Sequence, residues 1–86
     1  MNTAEAQENK KQSFHILVNG RPREVTGEII TYREVVLLAF PDANFDQFEY
    51  EVVYSGPNIP DGSLVEGQSV KLRNGMKFDV TKTNKS

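Results

Sequence analysis

The chain is 86 residues long, close to the lower limit for a core that can stabilise a domain, so it leaves no room for a second one. Ten Lys and Arg against twelve Asp and Glu give a net charge of −2, which supplies no general pull toward nucleic acid or an anionic membrane. The absence of cysteine excludes a disulfide framework, a thiolate zinc site, a thiol nucleophile and a thioester formed on this chain.

Met1–Gln12 is polar throughout and offers too little apolar surface to offset an ordering cost of ~1–2 kcal/mol per residue, so residues 1–12 are expected to be a flexible arm. The arm lacks the apolar segment of a signal peptide, and no run in the chain approaches the ~20 apolar residues of a membrane span. The expectation is a soluble, cytoplasmic protein. Phe14-His15-Ile16-Leu17-Val18 then forms a β-rich run closed by Asn19-Gly20, the dipeptide best suited to the positive-φ positions of a tight hairpin. Arg21–Thr26 is the returning strand; Pro22 places its start at a sheet edge and Gly27 ends it.

Thr31 and Glu34 have the spacing of a capping box, with Ile30 and Val35 at the positions of the accompanying hydrophobic staple. Tyr32, Val35, Val36, Ala39 and Phe40 recur at three- and four-residue intervals, giving one apolar helix face, and Pro41 stops the helix. Phe48–Tyr54 alternates so that Phe48, Tyr50, Val52 and Tyr54 share a face. Ser55–Gly62 is a loop by its Gly, Pro, Asn and Asp content, with Leu64 and Val65 pinning it down. Val70-Lys71-Leu72 and Met76–Val80 are two more strands around Asn74-Gly75, which suggests that they pair directly. Residues 82–86 are a flexible C-terminal tail beyond a domain spanning 13–81.

The order hairpin, helix, strand, strand, strand is an α+β layout: a small mixed sheet covered on one face by a single helix, the β-grasp order. Catalytic chemistry is absent from it. His15 is the only histidine and, without a partner, supports neither a metal cluster nor a nucleophile pair. Glu49 and Glu51 share a strand face, but no pocket-forming sequence accompanies them. The six glycines match no phosphate-binding loop. Arg21, Arg23, Lys71, Arg73 and Lys77 are interleaved with acids and accompanied by no stacking aromatics, so they form a mixed solvated surface rather than a nucleic-acid groove. No metal, cofactor or catalytic residue is expected. Leu17 and Val53 point away from the helix side and, with His15, make a candidate protein-docking patch.

Taken together, His15-Ile16-Leu17-Val18-Asn19-Gly20-Arg21-Pro22, Glu34-Val35-Val36-Leu37-Leu38-Ala39-Phe40-Pro41, Gly67-Gln68-Ser69-Val70 and Gly75-Met76-Lys77-Phe78-Asp79-Val80-Thr81 resemble the bacterial multiubiquitin family. The likeness runs from about Phe14 to the C-terminus. It implies a ubiquitin-like β-grasp fold, in which the penultimate strand is short and pairs elsewhere, so the ladder order of the last two strands stays open. It also implies a protein modifier whose C-terminal carboxylate is adenylated by a ubiquitin-activating-like enzyme, handed to a ubiquitin-conjugating-like enzyme and joined to target proteins. A deubiquitinase-like metallopeptidase would be a further partner, and antiphage defence the biological setting. On that reading Thr83, Asn84, Lys85 and Ser86 are the conjugation tail, and Lys10 and Lys11 are acceptor lysines if the modifier forms chains. The tail ends in Thr83-Asn84-Lys85-Ser86 where ubiquitin has a diglycine. Three readings follow: machinery that accepts a bulkier end, trimming by a peptidase, or binding without conjugation. The last is the alternative function, a non-covalent interaction module that uses its open sheet face.

Overall fold

The computed structural model describes residues 12–85, which form a mixed sheet crossed on one side by a single helix. Strand β1 (Ser13–Val18) turns at Asn19-Gly20 into antiparallel β2 (Arg21–Thr26). The turn residues have φ of 51° and 79°, the left-handed geometry that a two-residue hairpin demands and that Asn and Gly tolerate best. A short β3 (Ile29–Thr31) leads into helix α1 (Tyr32–Ala39). Strand β4 (Phe48–Gly56), β5 (Ile59–Leu64), a short β6 (Ser69–Lys71) and β7 (Lys77–Asn84) follow. Among the described residues the main sheet has the order β2-β1-β7-β4-β5, and β3 pairs with β6 as a separate ribbon. No helix among them is long and apolar enough to cross a membrane.

The helix begins as its sequence requires. Thr31 accepts from the Glu34 N–H at 3.2 Å, and the Glu34 carboxylate accepts from the Thr31 N–H at 2.9 Å, which satisfies two of the donors that a helix start leaves open. Ile30 and Val35, the staple positions, are both buried. Tyr32, Val35 and Val36 seal the sheet, whose inner face contributes Ile16, Val18, Tyr50, Val52, Phe78 and Val80. Ala39 and Phe40 pack at the margin of that core.

Two expectations are revised. Ser55–Gly62 is a hairpin rather than a loop: the chain reverses at Pro57-Asn58, where Asn58 has φ of 64°, and Ile59–Leu64 pairs back onto β4. Gly62 has a place in that strand because it lies opposite Tyr54, where a Cβ would come within 2.6 Å of the ring carbon Cζ. Leu64 is buried, but Val65 is exposed and pins nothing. The ladder left open is also resolved, since β6 pairs with β3 while β7 lies between β1, to which it is parallel, and β4, to which it is antiparallel. Asn74-Gly75 therefore joins strands of different ribbons. Its role is to dock on β1: the His15 N–H donates to the Asn74 side chain at 2.8 Å, and the Gly75 N–H donates to the His15 carbonyl at 2.8 Å.

Asn19 ties the first turn to the last strand. Its backbone N–H donates to the Phe78 carbonyl at 2.8 Å, its side-chain oxygen accepts from the Val80 N–H at 2.8 Å, and its side-chain nitrogen donates to the Val80 carbonyl at 3.2 Å. Parallel pairing of β1 with β7 covers only Leu17 and Val18, so the Asn19 side chain takes the place of further ladder rungs. Replacing Asn19 by Ala removes two hydrogen bonds and puts a residue that tolerates the left-handed conformation less well than Asn at φ 51°, a loss of about 2–3 kcal/mol and a fall of roughly 10 °C in Tm. Asn19→Gly keeps the turn but loses the bonds and falls in between; a glycine variant as stable as the parent shows that the side-chain bonds contribute nothing. Val36→Asp puts a carboxylate at a position with no exposure and lowers stability by roughly 4 kcal/mol, enough to lose the cooperative transition or shift it by 15 °C or more.

Candidate functional site

The far end of β7 is the first candidate. Beyond Val80, its last buried residue, Thr81–Lys85 are all exposed. A free tail from this point was expected, but the structure differs. Thr81, Lys82, Thr83 and Asn84 lie opposite Glu51, Tyr50, Glu49 and Phe48 of β4, and the Lys85 N–H donates to the Gln47 carbonyl at 3.3 Å. Backbone pairing needs no apolar side chain, which is why a polar composition concealed it. Ser86, the last residue of the expected conjugation tail, and the acceptor lysines Lys10 and Lys11 lie outside the described residues, as does the expected arm up to residue 11. Gln12 is described, and its carbonyl accepts from the Gly27 N–H at 3.0 Å.

Two lysines hold the β7 end against an aromatic cluster. Phe45 and Tyr50 stand 5.4 Å apart, Phe40 and Tyr50 5.7 Å, and Phe48 and Tyr50 6.4 Å between ring centroids. The Lys82 ammonium lies 4.7 Å from the Phe48 ring and 5.5 Å from that of Phe40, within the reach of cation–π attraction. Lys85 donates from Nζ to the Phe45 carbonyl at 3.0 Å. The cluster is anchored below by the Tyr32 hydroxyl, which donates to the Tyr50 carbonyl at 2.8 Å. Desolvation pushes the Tyr32 phenol above its ordinary pKa, so this donor stays protonated through the neutral range.

The open sheet face is the second candidate. His15 and Leu17 lie on it, as does Val53, which is 40% exposed. The register separates them, because Leu17 neighbours Lys77 and Val53 neighbours Asp79, so a charged strand runs between the two apolar side chains. The face therefore carries single apolar residues within a polar surface rather than one continuous patch. Glu49 and Glu51 share it, both exposed.

Sequence reasoning passed over two features. The aromatic contacts of Lys82 gave no signal, since Phe40 and Phe48 are brought together by the C-terminal cap of α1 and the start of β4. Ile29 and Leu37, exposed at 53% and 44%, did carry one: each is an apolar residue outside the phase of the buried pattern around it.

Comparison with known proteins adds one finding. A protein-family model described as multiubiquitin matches residues 14–84. No curated protein and no solved structure matches the chain.

The cation–π contacts of Lys82 are at the surface and worth about 0.5–1 kcal/mol each. Lys82→Ala is expected to raise amide exchange at Thr83 to Lys85 roughly three- to tenfold with little change in the exchange of Val52 and Phe78. Uniform acceleration across the core would mean that Lys82 acts on global stability instead of holding the strand end.

Proposed function

The chain belongs to the multiubiquitin family, matched over residues 14–84, and from that premise we propose that it is a ubiquitin-like protein modifier. Its C-terminal carboxylate attacks the α-phosphate of ATP on a ubiquitin-activating-like enzyme and releases pyrophosphate. An enzyme thiolate then displaces AMP to form a thioester, and transfer through a conjugating-like enzyme to a target amine releases that thiol. The thiols belong to the enzymes, in keeping with a chain that has no cysteine. A bacterial conjugation pathway, with antiphage defence as its setting and a deubiquitinase-like metallopeptidase to reverse it, is the context this reading takes from the family.

The observation that carries the reading is the one-sided exit of β7. Past Val80 the strand pairs only with β4 among the described residues, and every residue from Thr81 to Lys85 is exposed. Peeling Thr81–Asn84 away breaks a few backbone bonds at roughly 0.5–1.5 kcal/mol each without opening the core, and it frees an extended lead long enough to enter an enzyme cleft. Lys82 and Lys85, released from the aromatic cluster, then face the cleft as cations.

Incubation with the cognate activating enzyme tests this by ATP–pyrophosphate exchange and by intact mass of the products. The parent chain supports exchange and attachment. A chain lacking Thr83 to Ser86 supports neither, while its Tm falls by no more than a few degrees. Attachment that survives the deletion overturns the reading. The Leu17→Ser, Val53→Ser double variant probes the sheet face in parallel: loss of activity there, with the tail deletion harmless, replaces modification by non-covalent binding through that face.

A further inference from the structure

A crevice runs between β2 and α1. One part, about 410 Å³, is lined by the apolar Val25, Ile29, Ile30, Leu37, Leu38 and Leu72 and also by Glu24, Thr26 and Glu34. The other, about 370 Å³, is lined by Arg21, Arg23, Leu38, Phe40 and Pro41. Leu38 lines both, so the two parts adjoin along β2 and α1, mainly apolar toward the Thr26 end of β2 and cationic toward its Arg21 end. Among the described residues neither Arg21 nor Arg23 has an acidic partner.

Among the described residues, the strand bordering this groove is open for pairing. β2 is the outermost strand beside β1, and in a hairpin closed by a two-residue turn, bonded and non-bonded pairs alternate outward from Val18 and Arg21. Pro22, Glu24 and Thr26 therefore direct their backbone groups away from β1. At Pro22 that edge is blunted, because there is no N–H to offer and its carbonyl accepts from the Arg23 guanidinium at 3.0 Å. Glu24 and Thr26 keep both donor and acceptor, alongside the apolar part of the groove.

We propose that this groove binds an extended peptide of a partner protein, added as a strand along Glu24–Thr26, with apolar side chains at Ile29 and Leu37 and acidic side chains against Arg21 and Arg23. Strand addition supplies main-chain bonds, and alternate side chains of the peptide reach the groove. The charge of the occupant follows from the two arginines, whose guanidinium groups match carboxylates. This surface lies on the helix side of β2, away from Leu17, Val53 and the β7 tail, so it would serve recognition whether or not the chain is conjugated.

Fluorescence anisotropy of the full chain tests the proposal with a labelled peptide in which Thr alternates with Val, Ile, Asp and Asp, and with the same peptide reversed. Saturable binding of either order is expected, weakened about tenfold or more by Arg21→Glu with Arg23→Glu, and similarly by Leu37→Asp. Replacing both Asp of the peptide by Asn should remove the effect of the arginine variant while leaving that of Leu37→Asp. Since Arg21 and Leu37 are exposed, thermal melting of the variants should remain close to the parent. No saturation by either peptide at about 1 mM, or binding unchanged in both variants, overturns the proposal. So does a dimer in sedimentation that Leu37→Asp dissociates, because the groove is then an interface between copies of this chain.

Discussion

Among the described residues, the sheet depends on the insertion of β7 between two hairpins that do not otherwise pair: β1 and β2 form one unit, β4 and β5 the other, and only β7 bonds to both. On the first side its grip is short: Leu17 and Val18 supply the parallel rungs, and Asn19 supplies bonds to Phe78 and Val80. Phe78 and Val80 complete the core beneath the helix. A residue in a tight turn near the start of the chain thus holds in place the strand that closes the hydrophobic layer. Such a contact joins segments far apart in sequence, so its loop-closure cost is smaller once the local hairpins and helix have formed.

The same strand carries the segment proposed for conjugation, which sets two requirements against each other. Up to Val80, β7 must stay in place because its inward side chains are core. Past Val80 it is held, among the described residues, by backbone pairing with β4 and by surface lysine contacts, interactions that are individually weak and reversible. The boundary between core and lead falls within one continuous strand, at the change from buried to exposed side chains. A strand end of this kind can be ordered in the free protein and still yield to a partner that binds it better.

The surface is also divided. The open face of the sheet alternates lone apolar residues with charge, and β7 places Lys77 and Asp79 between Leu17 and Val53. Among the described residues, the helix side of β2 combines an open edge with two adjoining parts of a crevice. Hydrophobic area alone does not distinguish them, since Val53 is nearly as exposed as Leu37. What differs is that Leu37 and Ile29 line a cavity with each other and stand next to open backbone groups, whereas Val53 stands among polar neighbours.

The amino-acid sequence by itself determined the features that depend on neighbouring residues. Asn19-Gly20 dictated the first turn because few other residues occupy positive φ at both positions. Thr31 and Glu34 dictated the helix start, Pro41 its end, and the alternation along Phe48–Tyr54 which side of β4 meets the core. From these and the family motifs the α+β grasp was legible, and so were most of its core residues. Tertiary structure decided which strands pair and which surfaces join. Ile59–Leu64 became a strand, despite Pro60 and Gly62, because Val52–Tyr54 offered it a ladder. Residues 81–84 were drawn into β7 by Phe48–Glu51, β6 paired with β3 rather than β7, and Lys82 met rings contributed by the cap of α1 and by β4. The strand pairings share one reason: side-chain periodicity encodes a local face, while backbone donors and acceptors are the same at almost every residue, so their partners, like the rings around Lys82, are chosen by proximity in the folded chain.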